Sequence, residues 1–165
     1  MTISKDEFRQ TLGHFATGVT VITIDRGQRQ VHGMTANAFA SVSLVPPLVL
    51  VCVDHSARTH PLLKEQKRFG VNVLEEQQEA LARYFADVNQ SHETAAHLGV
   101  RYSFTERGTP LLETCLAQLE CALVAAHEAG DHTIFVGQVE HAVTRKGRPL
   151  LFYRGRYSKL ETGAP

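Results

Sequence analysis

Nine histidines and three cysteines among 165 residues raise metal chemistry first. Cys115 and Cys121 stand six apart, which along a strand leaves them on one face but about 20 Å from each other. They cannot share an ion. Asp54, His55 and His60 have ligand side chains, yet Pro61 follows directly and no second close-spaced pair completes a zinc pattern, so no metal is expected. Cys52 and Cys121 read as small buried hydrophobes on strands. Nucleophilic catalysis has no GxSxG elbow, and only Asp131 and His132 set an acid beside a histidine. GxxxxGK[ST] and GxGxxG are both absent, so a nucleotide, if one is bound, must be held in another way.

Three stretches remain. In Gly33 to Leu48, GMTANAFASVSLVPPL, the side chains of Thr35, Asn37, Ser41 and Ser43 sit among apolar residues. They either satisfy turn backbone or line a cradle in which small residues let a flat heteroaromatic ring approach the main chain. In HSARTHP, Ser56 or Thr59 can simply cap a helix. The alternative is an anion site, with helix-start amides and the Arg58 guanidinium as donors. In AGDHTIF, Gly130 and Asp131 suit a turn, and His132 is either a half-buried polar residue or a functional group.

The elements that must position these residues are mostly strands. Ser4 and Glu7 have capping-box spacing, and Phe8, Leu12 and Phe15 draw one apolar stripe on an opening helix that Gly18 is expected to end. VTVITI is a first strand of β-branched residues, with QVHGMT as its hairpin partner across Asp25 to Gly27. Pro46 and Pro47 are expected to break SVSLVPPLVLVCV into two extended pieces. LVLVCV is apolar on both parities, which predicts a strand covered on both faces. A short helix over Thr59 to Gln66, a strand FGVNVL and a helix over Glu75 to Ala86 with Leu81, Tyr84 and Phe85 inward follow. Residues 87–99 read as a surface excursion. Gln118 to Ala126, TIFVGQVEHAV and LLFYRGRYSKL complete the strands. The pattern predicts a single domain over 1–165, mainly β and mostly antiparallel, closed into a barrel with a few short helices.

Charge and hydropathy exclude other classes. Seventeen basic residues balance seventeen acidic ones, which argues against nucleic acid as a partner. The longest apolar run, Leu48 to Val53, falls far short of the roughly 20 residues that span a bilayer, and the start has no apolar signal core. A cytoplasmic protein with reduced thiols and no membrane partner is expected.

Taken in order, FRQTLGHFATGVTVIT, GMTANAFASVSLVPPLVLVCVD, FGVNVL, QEALARYFA, GTPLLETCLAQLEC, AGDHTIFVGQVE and PLLFYRGRY resemble the short flavin reductase family, reductase components of two-component flavin-dependent monooxygenases. The resemblance covers nearly the whole chain. It implies an FMN-binding split β-barrel, a homodimer with flavin near the subunit interface, and reduction of FMN or FAD by NADH or NADPH. By matching position, Met34, Thr35, Ala36 and Asn37 would line the isoalloxazine, continued by Ser41 and Val42. Cys52, Val53 and Asp54 would end the adjacent strand, Ser56, Arg58 and Thr59 would receive the phosphate, and Phe85 would stand near the flavin. His132, with Tyr153, Arg154, Gly155 and Tyr157, would mark the nicotinamide side. Ala38, Ala40, Val45 and Gln118 depart from the family's usual residues, the first two in a way expected to weaken flavin contacts.

Hydride transfer between stacked rings needs positioning and no general base, so Thr35 and Asn37 are expected as donors near flavin N1 and the C2 carbonyl, and His132 as a positioning group. The implied flavin is exchangeable and reaches an oxygenase by diffusion of its reduced form. Two alternatives stand beside this reading: a split-barrel oxidase that retains FMN, and a flavin-binding module without turnover.

Overall fold

The computed structural model describes residues 3–161. Ser4 caps α1 (Lys5–Leu12): its hydroxyl accepts from the Glu7 amide at 3.2 Å, and the Glu7 carboxylate accepts from the Ser4 amide at 3.0 Å. The capping box therefore forms as the spacing predicts. The helix ends earlier than expected, because the carbonyl of its C-cap residue Gly13 accepts from the Arg154 amide at 2.9 Å instead of continuing the helical ladder. Phe15 lies beyond the helix, and Gly18 belongs to β1 (Thr17–Gly18).

Next come β2 (Thr20–Asp25), β3 (Val31–Ala36), β4 (Phe39–Leu44), β5 (Pro47–Asp54), α2 (Thr59–Gln66) and β6 (Arg68–Val73). Then follow α3 (Glu79–Ala86), α4 (His92–His97), β7 (Tyr102–Phe104), β8 (Pro110–Leu112), β9 (Ala117–Ala129), β10 (His132–Thr144), β11 (Leu151–Tyr153) and β12 (Arg156–Ser158). Val45 and Pro46 form the turn between β4 and β5, so the stretch divides into two extended pieces as expected, and the two pieces pair as a tight hairpin. The helix over 75–86 starts only at Glu79, since Glu75 bridges to Pro149 and the Glu76 amide donates to Arg148 O. The excursion at 87–99 contains α4, a short helix capped by Ser91 and too poor in apolar residues to be legible from periodicity.

Seven strands form one sheet in the order β3-β2-β6-β9-β10-β5-β4, every pair antiparallel. Its two edges, β3 and β4, are joined through Asn37 and Ala38 alone, a link that spans at most about 11 Å. The sheet must therefore curl until its ends meet without being laddered together. A shared interior follows, in which Ile22 and Ile24 of β2 pack with Val49, Val51 and Val53 of β5 around Phe69 and Phe135. The fold is thus mainly β and antiparallel, as expected, with its opening between β3 and β4.

A second core lies outside the barrel, where Val19 and Val21 meet Leu74, Ala82, Phe85, Leu112 and Leu150. β2 is consequently buried on both faces. For β5 the expectation of two covered faces fails: Val49, Val51 and Val53 point inward, while Leu48, Leu50 and Cys52 stay half-exposed because no layer of this chain lies over them. Gln118, one of the family departures, is buried and satisfied, accepting from Arg145 and donating to Leu112 O. Among the described residues no helix is long and apolar enough to cross a membrane.

Candidate functional site

β5 runs two residues past its last bond to the β3–β4 link, Cys52 N to Ala38 O, and delivers Asp54 to the barrel rim. Asp54 Oδ1 accepts from both the amide and the hydroxyl of Ser56 at 2.7 Å, folding the chain back toward α2. Those bonds hold the Asp54 carboxyl below its usual range. No side chain caps α2, since Ser56 is engaged with Asp54 and Thr59 donates to or accepts from His32 Nε2 at 2.8 Å. The ordinary-capping reading of HSARTHP is therefore not what the chain does. Arg58 stands exposed at the helix start with no acidic partner among the described residues.

Arg58 and Thr59 form one wall of a groove of about 220 Å³, with β3 (Val31 to Met34) as the floor and the end of α3 with the chain after it, Tyr84 to Val88, as the other wall. Gly33 is required there: a Cβ would lie 2.4 Å from the Phe85 ring, so only glycine lets the buried aromatic seat against β3. Gln90 fastens the same place, donating to Gly33 O at 2.9 Å. Arg26, at the β2–β3 turn, completes the groove. Burial, and then the charges of Arg26 and Arg58, lower the pKa of His32; both guanidiniums line the groove together with the Asp87 carboxylate. Arg26, His32, Tyr84 and Gln90 were not foreseen. Only the hydrophilic interruption of QVHGMT hinted at His32.

Met34, Arg58, Thr59 and Phe85 are thus brought together. Ala36 is buried, whereas Asn37, Ser41 and Val42 are exposed along the opening, Val42 at a bulge in the β4–β5 ladder. The Thr35 hydroxyl donates to Ala82 O at 2.7 Å and ties β3 to α3, so the expected ring donor is already engaged. The Asn37 side chain has no such bond among the described residues and remains available. Val53 faces the barrel core and can offer only backbone. Burial pushes the Cys52 thiol up, which keeps it protonated.

His132 opens β10 directly opposite Asp54, and its Nδ1 lies 2.7 Å from Asp131 Oδ1. It shares the rim with the Ser56 loop but does not line the groove. Tyr153, Arg154, Gly155 and Tyr157 sit elsewhere, on the β11–β12 hairpin that packs against β1 and α3. There Arg154 and Gly155 both have positive φ, as a two-residue hairpin turn requires, and the Arg83 guanidinium lies 5.0 Å from the Tyr157 ring centroid. Within one chain the two halves of the expected nicotinamide side are not on one wall.

The chain is thus an open antiparallel barrel with a half-apolar groove between β3, α2 and the end of α3, lined by Arg26, His32 and Arg58. The flavin reductase like domain family matches residues 12–161, and the chain belongs to it. It is 45% identical over 156 residues to an NADH-dependent flavin reductase of Rhodococcus sp, covering 93% of this chain and 85% of that one. With the NADH-dependent FAD reductase of Streptomyces globisporus the identity is 43% over 165 residues, covering 96% and 87%. Among solved structures, the NADH:FAD oxidoreductase SgcE6 of Streptomyces globisporus C-1027, in complex with NAD and FAD fragments, superposes with a TM-score of 0.89 at 41% identity over 98% and 96% of the two chains. The flavin reductase component BorF of a bacterial two-component tryptophan halogenase gives 0.85 at 38% identity over 97% and 100%.

Proposed function

We propose that this chain, acting as a single FMN-binding split-barrel domain, is an NAD(P)H:flavin oxidoreductase that reduces FMN or FAD and releases the reduced flavin to an oxygenase component. The match to the flavin reductase like family over residues 12–161 carries the reading, since it includes both the groove and the rim. The residues suit a flavin: in the groove Arg58 and the uncapped start of α2 suit its phosphate and Met34 its ring, with Ala36 and the free Asn37 amide next along the chain. Cys52, Val53 and Asp54 supply the adjacent strand end and Ser41 and Val42 the open edge.

A bound flavin accepts hydride at N5 from the nicotinamide of NADH or NADPH. The chain's part is to hold the rings close and aligned. Asn37 donates to the ring edge where charge develops, Arg58 and Thr59 anchor the phosphate, and His132, kept in one orientation by Asp131, positions the nicotinamide.

A homodimer completes this picture. Leu44 and Val45 at the β4–β5 tip are 89% and 92% exposed and Phe15 is 74% exposed, an apolar surface a second copy would cover. The oxygenase partner is supported by relatives described as reductase components, among them that of a 4-nitrophenol monooxygenase of Rhodococcus opacus. The balanced charge and ordinary hydropathy are consistent with a cytoplasmic setting.

Anaerobic mixing with NADH and free FMN or FAD tests the reading directly. Stoichiometric bleaching of the flavin is expected. No bleaching with either flavin and either nicotinamide removes it.

A further inference from the structure

Beside the groove, where α2 meets the β9–β10 hairpin, three potential ligands converge from distant parts of the chain. His55 lies in the loop after β5, His60 in the first turn of α2 and Glu128 near the end of β9. One ligand atom from each lies within 4.8 Å of the other two. We propose that His55, His60 and Glu128 form a binding site for a divalent transition-metal ion of the zinc class.

Two imidazoles and one carboxylate, with a fourth side open to water, are a donor set suited to Zn²⁺ and its neighbours rather than to Mg²⁺ or Ca²⁺. His55 Nε2 and Glu128 Oε2 are 2.8 Å apart. Around a tetrahedral ion with bonds of about 2.0 to 2.2 Å, ligand atoms stand about 3.4 Å apart, so that pair must open slightly, while every pair already lies within 4.8 Å.

The ligands are already oriented. Lys64 Nζ holds Glu128 Oε1 at 3.1 Å and turns Oε2 toward the histidines. The His60 ring leans edge-on against buried Phe135, with centroids 5.5 Å apart, and against His55 at 5.0 Å. Beneath them Thr133 Oγ1 lies 2.8 Å from His60 Nε2, 3.2 Å from His55 Nε2 and 3.2 Å from Glu128 Oε2. These bonds turn both rings and the carboxylate toward one point, and an ion bound there would take their place. His55 and Glu128 are 40% and 63% exposed on their side chains, so an ion has a path in.

The neighbouring Asp54, Asp131 and His132 also lie within 4.8 Å of one another, but they offer a single imidazole, a poorer donor set for this class of ion. An ion at His55, His60 and Glu128 would pin the Ser56–Thr59 loop to the hairpin that bears His132. The inference concerns binding alone and stands apart from the flavin reading.

Calorimetric titration of the untagged protein with Zn²⁺ decides it, with Co²⁺ absorption as a check on coordination. One ion per chain and a raised melting temperature are expected in the wild type. Glu128→Gln and His60→Ala are each expected to weaken that binding by about tenfold or more, while Asp131→Asn leaves it unchanged. All three sites are at the surface or rim, and circular dichroism of each variant verifies folding. No stoichiometric binding in the wild type overturns the proposal and leaves a hydrogen-bonded network around Thr133. Equal affinity in Glu128→Gln, or loss confined to Asp131→Asn, overturns it by placing the ion elsewhere.

Discussion

β2 and β5 are both apolar, β-branched strands, yet they end in opposite situations. Thr20 to Ile24 of β2 are all buried, with the barrel interior on one face and α3, β8 and Leu150 on the other. In β5 only Val49, Val51 and Val53 are buried, and the alternate residues look outward. The chain supplies a second layer to one side of its barrel and withholds it from the other. On the bare side lie the opening between β3 and β4, the exposed Asn37 and Ser41, and the uncovered tip at Leu44 and Val45. An apolar strand thus tells how much surface needs cover, not whether the same chain provides it.

Substitutions on the two sides sharpen this contrast. Phe69→Ala empties the shared interior and should cost about 3 to 5 kcal/mol, read from urea denaturation. In the outer core of β2, Leu74→Ala should cost about 2 to 5 kcal/mol. By contrast, Leu44→Ser at the tip of the β5 side should change the stability of the isolated chain by no more than about 0.5 kcal/mol. Its effect should appear as dissociation in sedimentation velocity, with a melting temperature less dependent on protein concentration. A monomeric wild type, or a large loss from Leu44→Ser in a monomer, would break the comparison.

Ligand effects should be smaller and local. Arg58→Ala is expected to weaken FMN by about 1 to 3 kcal/mol and riboflavin hardly at all, because a charge-assisted bond to phosphate is lost. Equal weakening of both would put the phosphate elsewhere. His132→Ala should raise the NADH KM or slow flavin reduction in stopped flow, with flavin affinity unchanged.

The smallest effect is a pH dependence of stability from the groove itself. Burial lowers the folded pKa of His32, so the unfolded chain takes up the proton first on acidification. The stability this contributes is complete above the unfolded value of about 6.5 and is lost as pH falls from there toward the folded pKa. His32→Gln should flatten denaturation midpoints over that range, and an unchanged slope would show that His32 is not desolvated.

Strand order along the chain, the capping box at Ser4 and Glu7, and the family motifs are legible in the sequence because they rest on neighbours within a few residues. Local spacing determined that GMTAN ends one strand, that HSART precedes a helix and that GDHT opens another strand. The tertiary structure alone decided what those segments meet. Thr35 has the side chain of a ring donor, yet its hydroxyl is taken by Ala82, 47 residues on. Arg26 reaches the groove only because β2 and β3 fold beneath α2, and Glu128 joins His55 and His60 only because the 13-residue strand β9 carries it to the rim. Side-chain identity and short-range periodicity are properties of the chain, whereas the partners of a polar group are set by long-range packing, which no local pattern encodes.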